Sequence, residues 1–152
     1  MIKLKHLLKE INEPLEVKEL HLKDVKSAIK DAFNKKYGYL NLYIKESDYI
    51  YISTDRNPER LSMYGDGNPN HYYLAISCYN DGEDLTVVAT NASAGPFEGK
   101  GLTTDILKAV FEVGEKKLGP YTRKILYVDD DASGGAWQNI ANKLGVEYDT
   151  KK

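Results

Sequence analysis

The segment Leu85-Thr86-Val87-Val88-Ala89-Thr90, followed after a loop by Glu98-Gly99-Lys100-Gly101-Leu102-Thr103, decides the fold class of this sequence. The first six residues are apolar or β-branched, a composition typical of a strand. The second six form a glycine turn that opens a helix, because apolar residues continue beyond them at three- and four-residue steps. Those residues are Leu102, Ile106, Leu107, Val110, Phe111 and Leu118. The segment therefore predicts a strand, a glycine turn and a long helix.

The glycine turn is a candidate anion site. Glycine has no Cβ, so the backbone amides around Gly99 and Gly101 can approach a ligand closely. The first N–H groups of the following helix lack helical partners and carry a partial positive charge, which attracts phosphate. The spacing from Gly95 to Lys100 does not match a P-loop, and a dinucleotide fold would place its glycines after the first strand. A glycine-rich connection without a ligand is the alternative.

The periodicity of the flanking sequence predicts the other elements. Strands are predicted at Tyr39–Lys45, Tyr49–Thr54, residues 72–79, residues 85–90, Lys124–Val128 and Val146–Tyr148. Helices are predicted at residues 2–11, 22–36 and 134–144, in addition to the helix that begins at Leu102. Strands grouped first and a β-α-β-α-β tail predict an α/β (α+β) fold. We expect a mixed, mostly antiparallel sheet of about six strands with helices on both faces.

Length and composition indicate a single small domain. The chain has 152 residues, which we divide into an N-terminal amphipathic helix or leader at 1–13 and one domain at 14–152. A net charge of −2 gives no reason to expect nucleic acid as a partner, and no apolar stretch is long enough for a membrane span. Cys78 is the only cysteine, which excludes an intrachain disulfide, fits a cytoplasmic location and predicts a buried thiol beside Leu74 and Ile76.

Two stretches resemble the N-acetyltransferases of the GNAT superfamily. Gly99-Lys100-Gly101-Leu102 resembles the pyrophosphate-binding turn at the start of their central helix, and residues 140–146 are similar to their helix that ends in Lys-Leu-Gly. The resemblance implies acetyl-CoA or another acyl-CoA as co-substrate and direct attack by an amine. No metal is expected, because the Asp129–Asp131 run lacks histidine or further carboxylates at the spacing of a metal site. It also implies that a strand edge pairs with the pantetheine and that turn amides hold the pyrophosphate. The cofactor-binding residues would be Val88, Ala89, Thr90, Gly99, Lys100, Gly101, Leu102 and Thr103.

The sequence departs from the family pattern where the family places catalytic and binding groups. Glu98 stands at a Gln/Arg position, Thr103 at that of a second small residue, and Ala141 at the position of the usual proton-donating tyrosine. Acyl transfer needs a base for the amine and an acid for the thiolate. Our candidates for these roles are Asp129, Tyr127 and Tyr79. Helix capping by the Asp129–Asp131 run and ordinary strand packing of the tyrosines are the alternatives.

The N-terminus offers a second hypothesis about function. Residues 1–10 form a lysine-rich amphipathic decapeptide ending in Leu8-Lys9-Glu10, which resembles the capsid-targeting leaders of tailed phages. A first helix packed on the domain explains the same pattern. The leader would imply a non-catalytic, GNAT-like structural or interaction protein in the virion interior. The acceptor (a small-molecule or peptide amine) and the oligomeric state, with a homodimer as one expectation, stay open.

Overall fold

The computed structural model describes residues 16–65 and 67–151, which form one mixed sheet with helices. Within these residues the strands are β1 Lys18–Glu19, β2 Tyr43–Glu46, β3 Ile50–Ser53, β4 Tyr73–Asn80, β5 Asp84–Ser93, β6 Arg123–Asp129 and β7 Glu147–Lys151. The helices are α1 Leu22–Tyr37, α2 Arg60–Tyr64, α3 Leu102–Lys117 and α4 Ala136–Leu144, with a single 3₁₀ turn at Gly95–Phe97.

The sheet has an antiparallel half and a parallel half. Its order is β2-β3-β4-β5-β6-β7, and β1 pairs with β4 beside the β3 ladder. Strands β2 to β5 are antiparallel neighbours joined by short connections. The crossovers through α3 and α4 make β5, β6 and β7 parallel. The carboxyl ends of β5 and β6 therefore lie at the same edge of the sheet, next to the glycine turn.

The two faces of the sheet differ in their cover. The helix face carries the main core, in which side chains such as Leu74, Ile76 and Cys78 pack with buried residues of α1, α3 and α4. The tyrosine face is defined by Tyr51, Tyr73, Tyr79, Val88 and Tyr127, which alternate with the core residues along the strands. Helix α2 lies on the tyrosine face, where Ser62 hydrogen-bonds Tyr51.

The predicted fold class is confirmed, and the helices on both faces are present. The structure has seven strands rather than about six, because Lys18–Glu19 pairs with β4 through contacts that leave no local sequence signal. The stretch between the predicted strands Tyr49–Thr54 and 72–79, for which no element is predicted, contains α2. Cys78 is buried on the helix face as expected, with only 1% of its surface exposed. The predicted helix at 2–11 and the leader lie outside the described residues.

The strand predicted from Tyr39 begins only at Tyr43. The amide of Leu40 donates to the carbonyl of Tyr37 at 2.9 Å, so the chain turns again after α1 instead of extending. The Tyr39 side chain is 80% exposed, and the ladder with β3 starts at the Tyr43–Ser53 pair. Strand propensity at Tyr39 and Leu40 was therefore overridden by the turn that ends the helix.

Candidate functional site

A cavity of about 390 Å³ opens where β5, the glycine turn, α3 and α4 meet. Its walls come from two parts of the chain that are distant in sequence, residues 92–104 and 133–143. They are Ala92, Ala94, Phe97, Glu98, Gly99, Gly101, Leu102, Thr103, Thr104, Ser133, Ala136, Trp137, Asn139, Ile140 and Lys143. The cavity thus adjoins the turn that the sequence marks as a candidate anion site.

An aromatic cluster on the core side holds the glycine turn in place. Phe97 is 8% exposed, and its ring contacts Tyr37 edge-on at a centroid distance of 4.9 Å and Tyr72 at 6.0 Å. The Tyr72 hydroxyl lies 2.7 Å from Oγ1 of Thr103 in the first turn of α3. Burial raises the pKa of Tyr72, so this hydroxyl stays protonated. These contacts hold the turn in place without using its exposed amides.

Helix α3 begins without a side-chain cap. Its N-cap is Gly101, which has a left-handed φ of 76°, and no side chain of the described residues bonds the amides there. The first backbone bond of the helix runs from the Asp105 amide to the Gly101 carbonyl at 3.0 Å. The amides of Leu102, Thr103 and Thr104 precede that bond, so they have no partner within the helix. Their partial positive charge lies at the cavity wall.

A second cavity of about 420 Å³ lies at the carboxyl ends of β5 and β6. It shares Ala92, Ser133 and Trp137 with the first cavity. The β5–β6 ladder stops at the Ala89–Val128 pair, and the β4–β5 register shifts by one residue beyond the Ala75–Thr90 pair. Asn91 in this stretch has a φ of 48°. This bulge diverts β5 from β6 and leaves the space between them.

Helix α4 supplies the outer wall of both cavities. It starts after Gly134 and Gly135, which both have positive φ. The half-buried Trp137 lines both cavities, whereas Lys143 lines only the first. The loop before the helix is tied to β7 because the Tyr148 hydroxyl donates to Asp131. The position of α4 is therefore set by the parallel β6–β7 pair.

The charges around the first cavity are mixed. Lys143 and Glu98 both line it, and Glu98 is exposed. The Lys100 carbonyl accepts a bond from Nζ of Lys36, which also pairs with Asp105 at 3.2 Å. The ion pair with Lys36 weakens the repulsion between the Asp105 carboxylate and an anion at the helix start. Glu98, which lines the cavity, opposes an anion there.

The predicted cofactor-binding residues fall into two groups. Gly99, Gly101, Leu102 and Thr103 line the first cavity, Thr90 lines the second, and Lys100 lies in the turn with an exposed side chain. Val88 and Ala89 instead lie within the sheet, where each pairs with both β4 and β6. Only residues 90–92 of β5 lie beyond the ladder with β6. They are therefore the part of the strand that has a free edge toward β6.

The predicted catalytic residues are not brought together at the cavities. Asp129 ends β6, is half-buried and lines the second cavity. Tyr79 and Tyr127 belong to a buried cluster on the tyrosine face and line neither cavity. Burial is the main cause that raises the pKa of both tyrosines. Ala141, at the family's tyrosine position, is fully buried in the main core.

Sequence reasoning missed Trp137, Ser133 and Lys143 as site residues. Their place at the cavity depends on how α4 packs against the turn, which no local pattern reports. The available signal was the glycine pair at 134 and 135, because it puts the start of α4 directly after the acidic loop that follows β6. Residues just after a parallel strand often face the ligand in α/β folds.

No group of His, Cys, Asp and Glu suited to a metal ion occurs in residues 16–65 and 67–151. In the same part of the chain, no helix has the length and apolar character needed to cross a bilayer. Comparison with protein-family models, curated proteins and solved structures finds no match to this chain.

Proposed function

We propose that the chain binds acyl-CoA at the first cavity and transfers the acyl group to an amine, in the manner of a divergent GNAT-like N-acetyltransferase. The observation that carries the proposal is the uncapped start of α3, which lines a cavity next to a glycine turn. Amides there suit a pyrophosphate because they donate hydrogen bonds and carry partial positive charge. Lys143 adds a full positive charge on the opposite wall.

The second cavity suits the reacting end of the ligand. A pantetheine arm extended from the first cavity would pass Trp137 and reach residues 90–92, where β5 has left β6. Amides and carbonyls of a strand beyond its ladder can pair with an extended arm. Asp129 lies at this end and would attract a protonated amine or accept its proton.

The reaction is direct transfer. The amine nitrogen attacks the thioester carbonyl, a C–N bond forms, and the C–S bond breaks. The amine proton passes to the Asp129 carboxylate or to water, and CoA leaves as a thiolate that then takes up a proton. Positioning both reactants in joined cavities would account for much of the rate, because it makes the attack effectively unimolecular.

Titration with acetyl-CoA tests the proposal. Trp137 is the only tryptophan and lines both cavities, so its fluorescence reports occupancy, and calorimetry gives the affinity independently. We expect saturable binding to the wild-type chain and a loss of at least about tenfold in Gly101→Glu, which places a carboxylate on the bare amides. In Glu98→Gln, affinity should rise about threefold because an opposing charge is gone.

Gly65→Glu is the matched control. Gly65 has a φ of 75° against 76° for Gly101, and at both positions an added Cβ would meet nothing within 4 Å. Gly65 lines none of the cavities described above, so its variant carries the same backbone strain and charge without touching the site. No binding heat at high micromolar acetyl-CoA, with Gly101→Glu indistinguishable from wild type, would refute the proposal.

A non-catalytic GNAT-like protein of a tailed phage is our second candidate. It is favoured by Ala141, which offers no proton donor, and by the burial of Tyr79 and Tyr127 away from the cavities. Acetyl-CoA binding without turnover on a panel of amines would support it over the enzyme. The intact mass of protein from its native source separates the two further, since cleavage after Glu10 favours the phage protein and an uncleaved terminus leaves it unsupported.

A further inference from the structure

The charges of this protein are unevenly distributed over its surface. The net charge of −2, which by itself gives no reason to expect a polyanionic partner, is an average over the whole chain. Helix α1 carries five lysines and two aspartates among its 16 residues. Carboxylates collect elsewhere, at residues 81–84, 129–131 and 147–149. The fold therefore presents a concentrated basic surface on α1, which the net charge does not report.

A row of hydrogen-bond donors runs along the outer side of α1. Its members recur at steps of three and four residues, so they share one face of the helix. They line an open groove of about 520 Å³, and all are exposed except Lys30, which is half-buried. We call them the donor strip, and they are Lys23, Lys26, Ser27, Lys30 and Asn34. At 1.5 Å per residue the donor strip is about 16 Å long.

The lysines of the donor strip are available to a ligand. In the part of the chain that the structure describes, no carboxylate forms an ion pair with them, whereas Lys36 of the same helix pairs with Asp105 at 3.2 Å. Asp31 also lines the groove and weakens its positive potential. Three lysines against one aspartate nevertheless leave the groove positively charged.

A second row of lysines lies on the other side of α1, in the groove between α1 and α3. Lys35, Lys108 and Lys116 line this groove, which has a volume of about 560 Å³. Asp31 and Glu112 line it as well and partly offset its charge. The two rows are separated by the diameter of a helix, about 10–12 Å. That separation matches the major groove of B-form DNA, about 12 Å wide, so the rows can contact phosphates of both strands.

The chemistry of the donor strip favours a duplex over other polyanions. None of the residues that line its groove is apolar, whereas a helix that binds a membrane surface inserts apolar side chains. None is aromatic, so the groove has no ring on which an unpaired base could stack. A protein partner would need an apolar centre, which the groove also lacks. Lysine, serine and asparagine instead donate to phosphate oxygens without reading the bases.

We propose that the outer side of α1 binds double-stranded DNA through its phosphate backbone, without sequence preference. The donor strip contacts one strand, of which about five phosphates span 16 Å at 3.4 Å each. Lys35, Lys108 and Lys116 contact the other strand. This surface shares no lining residue with the two cavities at the glycine turn, so the inference is independent of acyl-CoA binding.

Fluorescence anisotropy with a labelled DNA duplex of mixed sequence and about 20 base pairs tests the proposal. We expect saturable binding that weakens about a hundredfold between roughly 50 and 200 mM salt, the loss for about four neutralised phosphates. The triple variant Lys23→Gln, Lys26→Gln, Lys30→Gln should bind at least about tenfold more weakly, with a salt slope smaller by about two to three. Asp31→Asn should bind about threefold more tightly, because an opposing charge is gone.

The matched control is the triple variant Lys45→Gln, Lys124→Gln, Lys151→Gln, which removes the same charge from β2, β6 and β7. Its affinity for the duplex should stay within about threefold of the wild type, since these lysines lie outside both rows. Glutamine has nearly the helix propensity of lysine, so the donor-strip variant should keep its fold, which circular dichroism checks. Equal weakening in the two triple variants overturns the proposal, because binding would then follow net charge alone.

The choice of a duplex is tested in the same assay. The absence of binding at the lower salt concentration overturns the proposal, and so does tighter binding to a single strand of the same length. Vesicles of phosphatidylserine and phosphatidylcholine test the membrane as partner, and binding to them without binding to the duplex also overturns it. Displacement of the duplex by acetyl-CoA would place the duplex at the first cavity and would contradict a site on α1.

Discussion

Helices α1 and α3 pack against each other and have the same length of 16 residues, but they begin in opposite ways. At the start of α1, the His21 amide donates to Asp24 and the Leu22 amide donates to Glu46, both at 2.8 Å. At the start of α3 no described side chain caps the amides, and a cavity takes the place of the carboxylates. The protein supplies its own anions to one helix and leaves the other accessible to a ligand.

At its C-terminal end, α3 has hydrogen-bond partners for its last carbonyls. Nδ2 of Asn80, which is 2% exposed, donates to the carbonyls of Leu118, Gly119 and Pro120 at 3.0 to 3.2 Å. The two N–H groups of this buried amide are thus shared among three carbonyls where the helix ends. The open start of α3 is therefore a local feature of the glycine turn, and its free amides are the part of the helix that a ligand anion can use.

The largest effect we expect is on the free energy of unfolding, when the two carboxylates that accept amides at the start of α1 are removed. The double variant Asp24→Ala, Glu46→Ala should lose about 2 kcal/mol in free energy of unfolding, since each cap contributes about 1 kcal/mol. Acetyl-CoA affinity should not change, because Asp24 and Glu46 line neither the first nor the second cavity. Urea unfolding followed by circular dichroism measures the first quantity and calorimetry the second.

Asp31→Ala is the control for that variant. It removes an exposed carboxylate from the same helix but takes away no cap, so it should change stability by less than about 0.5 kcal/mol. If the double variant cost no more than Asp31→Ala, the carboxylates would not be stabilising α1, and the contrast between the two helices would lose its meaning.

Placing a carboxylate on α3 should have the next largest effect. Thr104 is the third residue of α3 and lines the first cavity, and Asp24 is the third residue of α1. Thr104→Glu should therefore raise the free energy of unfolding by about 0.5 kcal/mol through the helix dipole. It should weaken acetyl-CoA binding about tenfold through repulsion of the phosphates.

The control is Thr104→Gln, whose side chain has nearly the same shape as that of Thr104→Glu but no charge. Its affinity for acetyl-CoA should stay close to that of the wild type. Opposite changes of stability and affinity in Thr104→Glu would show that the protein gives up helix stability to keep this end open. Equal affinity in the Glu and Gln variants would contradict an anion site at this position.

The sequence predicts the long elements because their signal is local. The apolar steps of α1 and α3 and the alternation in β4 and β5 place these elements within a few residues of their observed bounds. The same alternation also predicts on which face of the sheet Tyr79 lies. Leu74, Ile76 and Cys78 share the helix face, so Tyr79 must point to the other face, away from the site.

The parts that could not be predicted depend on long-range contacts. Strand β1 is two residues long and exists because Glu19 meets Tyr79, 60 positions away. Helix α2 starts at Arg60, whose ion pair with Asp55 also involves Tyr73 of another strand. The joining of two cavities at Trp137 needs the bulge at Asn91 and the packing of α4 together. None of these has a periodic signature in the sequence.

The smallest effect we expect is a pH dependence at the start of α1. Nδ1 of His21 lies 2.9 Å from Oε2 of Glu46. The hydrogen bond between them is the main cause that raises the pKa of His21 and lowers the pKa of Glu46. The raised His21 pKa stabilises the fold below its ordinary value of about 6.5, and this contribution is lost as pH rises through the folded value. The lowered Glu46 pKa contributes above about 4.3 and is lost as pH falls.

The pair should therefore contribute most between about pH 5 and 6.5. His21→Gln should lower the free energy of unfolding by about 0.5 kcal/mol or less at pH 5.5, because the pair is largely exposed and screened, and by almost nothing at pH 8.5. Glu46→Ala should be destabilising at both pH values, since Glu46 also accepts the Leu22 amide. Urea unfolding at the two pH values measures both variants. A His21→Gln deficit that is equal at the two pH values would mean that His21 stabilises α1 without its charge, and that Glu46 acts on the helix start alone.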